Sequence, residues 1–581
     1  MMKRLSSVAC VLVLACADAF AAGFAYALVP LPREAEWTGG TCPATAEVSE
    51  RNDPGIPAEG YRLDVASGAI ALAASDAAGF FYGRQTLRQL KTDGGYPCCR
   101  IVDAPAYPWR GLHLDESRHF FGKETVLKLL DNMARFKLNV LHWHLTDNQG
   151  WRIPIPGYPK LTETVRPVEN RLNFCDLAKT GTYGPHSYAR DDLQEVVRRA
   201  AELHIRIVPE VEIPGHSEAL LKACPEFACT VTNREVNNAV CVGKDATLRF
   251  FEKALDEVCA IFPDAVVHIG GDECDRKDWK KCPDCRARME REGLADVAAL
   301  QSWTTAHFEK YLRGKGRRLM GWDEIAEGGL PPGTMVMSWR GTSTGITAAK
   351  GGQDVVMTPN EYCYFDYSQG IEGDPMAYPY NWTVLLPLAK VYSFDPAKGI
   401  PDEYRPHVLG AQGNCWSEMI RTEKELEWKV WPRAAALAEV LWSDPKDRDF
   451  ASFLRRMAPR RKDLVDSGVN AAPLGLRKDG SRPRGELVRT KTAQGEVLRY
   501  TCGTAVSALS LEDGRLGFES PGLEGRKFPK NDFREIEVIS PEDGVFFATA
   551  RRRASEIVVT VLFDGDRIVL KDRYDYRRDG K

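Results

Sequence analysis

Long hydrophobic runs are scarce in this chain. The longest mostly apolar stretch, residues 5–17, holds 13 positions, too few for a bilayer core that needs about 20. A surplus of one charge is missing too. Lys and Arg number 78 against 81 Asp and Glu, a net charge of −3. With no basic stripe, that excludes an electrostatic nucleic-acid binder. The chain is not short of core formers either. Apolar residues are 44% and charged residues 27%, which excludes a disordered or collagen-like chain. Its 581 residues suit three to five domains of roughly 100–200 residues, or one large barrel with appendages.

The N-terminal apolar stretch has the order of a secretory signal, residues 1–21. Lys3 and Arg4 supply its positive start, 5–14 its apolar centre and Ala19-Phe20-Ala21 its cleavage site. A lipid anchor at Cys16 is the alternative. The chain is therefore expected to be exported, to a periplasm, a cell surface or the medium, where disulfides persist. Of 16 cysteines, Cys10 and Cys16 belong to the signal. Cys229 and Cys241 bracket eleven residues and could close them as a loop. Cys98 and Cys99 are adjacent and unsuited to pairing with each other. Cys274, Cys282 and Cys285 form a C-x7-C-x2-C cluster. Its C-x2-C pair suits a structural zinc but a fourth ligand is not evident, so zinc, disulfide and free thiols all stay open.

Residues 22–105 read as a small α/β domain. Tyr61–Ala66 alternates apolar and polar side chains, Ser67-Gly68 turns the chain, and Ala69–Ala74 returns. Asp76 then caps a helix carrying Phe80, Phe81, Leu87 and Leu90. Residues 106–466 alternate short apolar runs with amphipathic helices. The runs are 111–116, 140–147, 205–212, 266–273, 318–324, 334–340, 354–360 and 408–416. Eight strands with helical crossovers predict a (β/α)8 TIM barrel. Residues 467–581 change character: 557–563, the turn Asp564-Gly565 and 567–570 read as a β-hairpin, and this end is expected to be a small β-rich domain of unknown role.

In such barrels the active site lies at the C-terminal ends of the strands. The run ends carry Asp147; Glu212 and His216; His268, Asp272 and Glu273; Trp322 and Glu324; Trp339; Tyr364 and Asp366; and Trp416 and Glu418. Carboxylates with tryptophans make a sugar site: indole faces cover pyranose C–H faces, carboxylates and Arg hold hydroxyls, and a carboxylic acid protonates the leaving oxygen. The fourth run is the sharpest. Two glycines before Asp272 and Glu273 let the backbone approach a ligand closely. Neighbouring residues of a strand face opposite ways, so the strand is expected to end at Asp272 with Glu273 reaching in from the loop. A charged Asp272 would then favour the protonated form of Glu273.

The sequence His268-Ile-Gly-Gly-Asp272-Glu273 resembles the signature of glycoside hydrolase family 20, the β-N-acetylhexosaminidases. Arg110-Gly-Leu-His-Leu-Asp-Glu-Ser-Arg118-His119-Phe, Leu141-His-Trp-His144-Leu-Thr-Asp147-Asn-Gln-Gly-Trp151-Arg and Pro209-Glu-Val-Glu212-Ile-Pro-Gly-His216 resemble its first three strands. The resemblance spans residues 24–466. It implies substrate-assisted catalysis without a protein nucleophile or a cofactor. Glu273 matches the general acid, Asp272 the residue that orients the 2-acetamido group, and Tyr364 the phenol bonded to the acetamido oxygen. Trp322, Trp339 and Trp416, with Trp382, match aromatic walls around the acetamido methyl. Arg118, with Asp147 beside it, matches the residue gripping the 3- and 4-hydroxyls, and Asp366 and Glu418 match binders of the 4- and 6-hydroxyls. His216 and Glu212 match a supporting pair, Glu212 standing where the family often has Asp. The implied partner is a glycan ending in a β-linked N-acetylhexosamine. His142 and His144 share a strand face and are expected to fill the barrel interior, and Glu324 takes no role.

Three rivals make distinct predictions. His142, His144, His216, His268 and Asp272 are the residue types of a metal-dependent barrel hydrolase, which a chelator would stop. A sugar-binding barrel would not cut, and Glu273→Gln would change nothing. A protein nucleophile such as Glu418 would cleave sugars lacking the acetamido group and leave a trapped sugar ester. A disaccharide-releasing member of the same family is the nearest alternative.

Overall fold

The computed structural model describes residues 28–164, 166–167, 182–231, 238–369, 385–474, 486–502, 505–513, 515–519, 533–542, 545–552, 558–564 and 567–573. The signal stretch with Cys16 and the expected wall residue Trp382 lie outside the described residues. Among those described, no helix is long and apolar enough to cross a membrane.

The first unit is a five-stranded sheet backed by one helix. Its strands are β1 (Glu34–Cys42), β2 (Val48–Asn52), β3 (Tyr61–Ala66), β4 (Ala69–Ala74) and β5 (Tyr96–Asp103), in the order β1-β5-β3-β4-β2. Strand β3 buries Tyr61, Leu63 and Val65 and turns the residues between them outward, as its alternation requires. Helix α1 (Ala77–Leu90) starts where Asp76 accepts a hydrogen bond from the Gly79 amide at 2.7 Å, a side-chain N-cap.

The second unit is a closed barrel of eight strands. They are β6 (Trp109–Asp115), β7 (Val140–His144), β8 (Arg206–Glu210), β9 (Val266–His268), β10 (Arg318–Trp322), β11 (Met335–Ser338), β12 (Val355–Met357) and β13 (Val408–Gly413). Every neighbour pair is parallel and β13 closes on β6. Helices α2 (Lys123–Arg135), α3 (Arg190–Glu202), α4 (Asp245–Ile261), α5 (Pro283–Glu292), α6 (Val297–Gly314) and α7 (Ser343–Lys350) cover its outside. Helix α4 shows why: Leu248, Phe251, Leu255 and Val258 share one buried stripe. Helices α8 (Arg433–Trp442) and α9 (Phe450–Asp466) complete the shell, and Ser467 caps α9 as the chain leaves it.

The expected strand ends run too long. The fourth strand stops at His268, four residues before Asp272, because Gly270 and Gly271 take φ of 67° and 94°, outside any strand geometry. Both acids are therefore loop residues. The second strand stops at His144, and Thr146–Asp147 folds back on Gly150–Trp151 as a separate small ladder.

The C-terminal region forms two antiparallel sheets of four strands. The first holds β14 (Glu486–Lys491), β15 (Gly495–Cys502), β16 (Ala505–Glu512) and β17 (Arg515–Glu519); the second holds β18 (Phe533–Glu542), β19 (Val545–Arg552), β20 (Val558–Asp564) and β21 (Arg567–Arg573). Strands β20 and β21 are the hairpin read from the sequence, with Asp564 opposite Arg567.

Candidate active site

The site is built from the loops that follow the barrel strands. Its centre is the loop after β9, held at several points. The Trp322 amide donates to the Gly270 carbonyl at 2.9 Å, and the Gln301 side chain of α6 donates to that of Gly271 at 2.8 Å. A Cβ on Gly270 would collide with the Glu212 carboxylate, so only glycine fits that left-handed position. Glu273 itself has a φ of 44°, and so does His216 on the neighbouring loop. A non-glycine residue held in this region costs stability and is typical of functional sites.

Asp272, Glu273 and His216 form one cluster. His216 Nε2 lies 3.5 Å from Asp272 Oδ2 and 3.6 Å from Glu273 Oε2. Its Nδ1 lies 3.1 Å from Asp147 Oδ1. The Asp272 side chain is 12% exposed and that of Glu273 is 56% exposed. Burial disfavours the imidazolium of His216, but the carboxylates of Asp147 and Asp272 outweigh it and raise its pKa well above the ordinary value. Burial, with Glu210 and Glu273 adding repulsion, pushes Asp272 up to about 6. The His216 imidazolium pulls Glu273 down. In the free site the carboxyl that leans toward its protonated form is thus Asp272, the reverse of the expectation from sequence. The reason is His216, which faces both acids, together with the deeper burial of Asp272.

Arg118 sits beside this cluster, buried among carboxylates. Its guanidinium lies 3.2 Å from Asp115, 2.9 Å from Asp147 and 3.6 Å from Glu418, and stacks 4.9 Å over the Trp416 ring. Burial opposes the charge of Asp147, yet Arg118 and His216 hold its carboxyl far below the ordinary range. On the far side, Asp366 is pushed up to about 7 by burial and by Glu418, and burial likewise raises Glu418. A carboxyl group keeps acceptor oxygens in either protonation state, and when protonated can also donate, so both can bond a sugar hydroxyl.

The aromatic wall is continuous. Trp322 and Trp416 lie 5.6 Å apart, Trp416 and Tyr364 6.2 Å, and Tyr364 stacks on Trp339 at 6.1 Å and 17°. Tyr364 is placed by a single parallel bridge to Asn414, which extends the barrel pairing past β12 and β13. Glu324, given no role from sequence, accepts a hydrogen bond from Trp339 Nε1 at 3.0 Å. Burial, with Asp323 and Asp272 nearby, keeps its carboxyl well above the ordinary range. The structure thus brings Arg118, Asp147, Glu212, His216, Asp272, Glu273, Trp322, Trp339, Tyr364, Asp366, Trp416 and Glu418 to one rim.

Sequence reasoning passed over Glu210. It is buried at the barrel centre, 2.6 Å from His144 Nδ1, 3.1 Å from His142 Nε2 and 2.9 Å from His268 Nδ1, and it accepts from Trp322 Nε1 at 2.8 Å. His144 passes the chain on to Asp147 at 2.9 Å. A polar network therefore runs from Glu210 through His144 and Asp147 to His216 and the two acids. The signal was available: Glu210 stands two before Glu212 in the apolar run 205–212, where strand alternation would put both on one face. The same network redistributes the histidines of the metal reading. His142, His144 and His268 converge on Glu210, while His216 turns to Asp147, Asp272 and Glu273.

Comparisons with known proteins identify the family of the fold. Residues 107–445 match the glycosyl hydrolase family 20 catalytic domain, and residues 15–104 match domain 2 of that family. A beta-hexosaminidase of Porphyromonas gingivalis is 39% identical over 432 residues, 71% of this chain and 54% of that one. The match thus spans about half the length of that relative. A beta-hexosaminidase of Akkermansia muciniphila is 34% identical over 458 residues, 76% of this chain and 90% of that one. The crystal structure of an exo beta-N-acetylglucosaminidase of Vibrio harveyi superposes with a TM-score of 0.71 at 28% identity, covering 78% of this chain and 79% of that one. With the catalytic domain matched over residues 107–445, more than half of the 581-residue chain, the chain belongs to glycosyl hydrolase family 20.

Proposed function

We propose that this chain is an exo-acting β-N-acetylhexosaminidase. It removes terminal β-linked N-acetylglucosamine or N-acetylgalactosamine from the non-reducing ends of glycans, with retention and with help from the substrate. The observation that carries the reading is the Asp272–Glu273 pair on a glycine-shaped loop, opposite the wall of Trp322, Trp416, Tyr364 and Trp339.

The acetamido oxygen of the substrate attacks the anomeric carbon. The bond from that carbon to the leaving oxygen breaks, and Glu273 gives the leaving oxygen its proton. Glu273 is half exposed in the free site and ionised by His216; a bound glycan covers it, and that desolvation raises its carboxyl toward the protonated form. Asp272 accepts the acetamido N–H and, as an anion, stabilises the positive charge of the oxazolinium ion. The Tyr364 hydroxyl bonds the acetamido oxygen and the tryptophans enclose the methyl. Glu273, now a carboxylate, takes a proton from water as that water opens the ring. Arg118, held by its carboxylates, grips the 3- and 4-hydroxyls, and Asp366 and Glu418 accept from the 4- and 6-hydroxyls. His216 and Glu212 support the acids. The signal-like residues 1–21 favour export, and the action on glycans fits an exported enzyme.

The test is product size. A chitooligosaccharide incubated with the full chain is expected to lose one N-acetylglucosamine at a time, with no covalent sugar adduct on the protein by mass spectrometry. Release of disaccharide first would place the chain with disaccharide-releasing members. A sugar ester on Glu418 would replace substrate assistance by a protein nucleophile.

A further inference from the structure

Four cysteines far apart in sequence meet between the crossovers that follow the third and fourth barrel strands. Cys229 follows the helical turn Pro225–Phe227 in the crossover after the third strand, Cys241 lies twelve residues on, and Cys282 and Cys285 open helix α5 as its N-cap and first turn. All four are buried, the most exposed at 3%. The Sγ atoms of Cys241 and Cys282 are 3.6 Å apart, those of Cys241 and Cys285 3.6 Å, and those of Cys229 and Cys285 3.9 Å. All four lie within 4.8 Å of one another. Cys274 is not part of this cluster, and the partners of Cys282 and Cys285 are Cys229 and Cys241, the two residues that bracket a separate loop.

A metal with four sulfur ligands at about 2.3 Å in tetrahedral geometry has ligand–ligand edges of about 3.8 Å. The observed separations bracket that value. A disulfide requires about 2.05 Å, and Cys241 stands equally far from Cys282 and Cys285, so the geometry singles out no pair. An all-thiolate donor set is soft and suits zinc, which takes four such ligands in closed structural sites. We propose that Cys229, Cys241, Cys282 and Cys285 bind one structural zinc ion. Each thiol gives its proton to solvent as the metal binds, with no change in oxidation state.

The consequence is a staple between two catalytic loops. The Cys229–Cys241 segment is tied to the loop of His216, with the Val240 amide donating to the Pro214 carbonyl at 3.0 Å and the Ser217 amide to the Asn238 carbonyl at 2.8 Å. The Asn238 side chain also donates to the Glu273 carbonyl at 3.4 Å and accepts from the Asp275 amide at 3.3 Å. Helix α5 continues the loop that carries Asp272 and Glu273. Zinc would close these two long crossovers onto each other within one small volume.

The experiment is metal analysis of the purified full chain, produced with zinc available and purified without added thiol reductant. About one zinc per chain is expected, released by a mercurial as four thiols react, and lost in the Cys282→Ser/Cys285→Ser double variant. Should that variant fail to fold, the unaltered chain with Co2+ replacing zinc is expected to show the absorption of tetrahedral thiolate-bound cobalt. A chain without metal whose mass is lower by four hydrogens would overturn the proposal in favour of two disulfides. Iron in place of zinc, or zinc retained in the folded double variant, would overturn it as well. Glycosidase activity does not enter the readout, so this outcome is independent of the catalytic reading.

Discussion

Asp272 keeps a carboxylate where burial opposes its charge. With its carboxyl at about 6 instead of the ordinary 3.8, the ionised side chain destabilises the fold. The sign follows from linkage. Well below pH 3.8 the group is neutral in both folded and unfolded chains and the penalty vanishes. Between pH 4 and 6 the unfolded chain ionises first, so stability falls as pH rises, and above pH 6 the penalty is complete. Asp272→Asn is therefore expected to stabilise the chain at pH 7.5 by about 1–3 kcal/mol, since one pKa unit is 1.36 kcal/mol, and to have little effect well below pH 3.8. The same variant removes the anion facing the oxazolinium ion and is expected to lower kcat by 100-fold or more. Thermal unfolding at the two pH values, beside kcat, reads both. A loss of stability at pH 7.5 would mean that His216 needs Asp272 more than burial penalises it.

At the scale of elements, the informative unit is the loop after β9. It works because Gly270 and Gly271 turn the chain out of the strand so that both acids leave on one side. Gly270→Ala is expected to reduce kcat/KM at least 10-fold while the barrel still folds. The added Cβ meets the Glu212 carboxylate, and φ of 67° disfavours any side chain. Activity measured beside far-UV circular dichroism checks this, and an unchanged kcat/KM would show that the loop tolerates re-aiming. All eight barrel strands were legible in the sequence, because each is a short apolar run between turn signals. Their ends were not. A run such as 266–273 remains apolar and small past His268, and only backbone dihedrals reveal that it has stopped being a strand. Strands β1 and β2 escaped for a different reason. Val48–Asn52 is exposed at every position, so burial imposes no alternation for a sequence to display. The four-cysteine cluster escaped because its members lie up to 56 residues apart, and spacing reports only local neighbours.

Across the whole molecule, the small domain is bound to the barrel by buried polar contacts. Lys137, just after α2, reaches Asp103 of β5 at 3.0 Å and the Tyr61 hydroxyl of β3 at 2.9 Å. Trp442 of α8 donates to the same Asp103 at 2.9 Å. Arg456 of α9 pairs with Glu439 of α8 at 2.5 Å and donates to the Leu28 carbonyl at 2.7 Å. Buried pairs of this kind are costly to break one partner at a time, and they seat the shell on which the site rests. The barrel, in turn, gathers residues from Arg118 to Glu418, 300 positions apart, onto one rim, and in the proposed reading that rim presents an acetamido oxygen to an anomeric carbon. That participation is the central claim, and one comparison tests it most directly: hydrolysis of an aryl N-acetyl-β-glucosaminide against the matching aryl β-glucoside, with a chelator present. Fast cleavage of the first and almost none of the second is the predicted result. Comparable cleavage of both would contradict it, because a site that cuts equally well without the acetamido group has a nucleophile of its own.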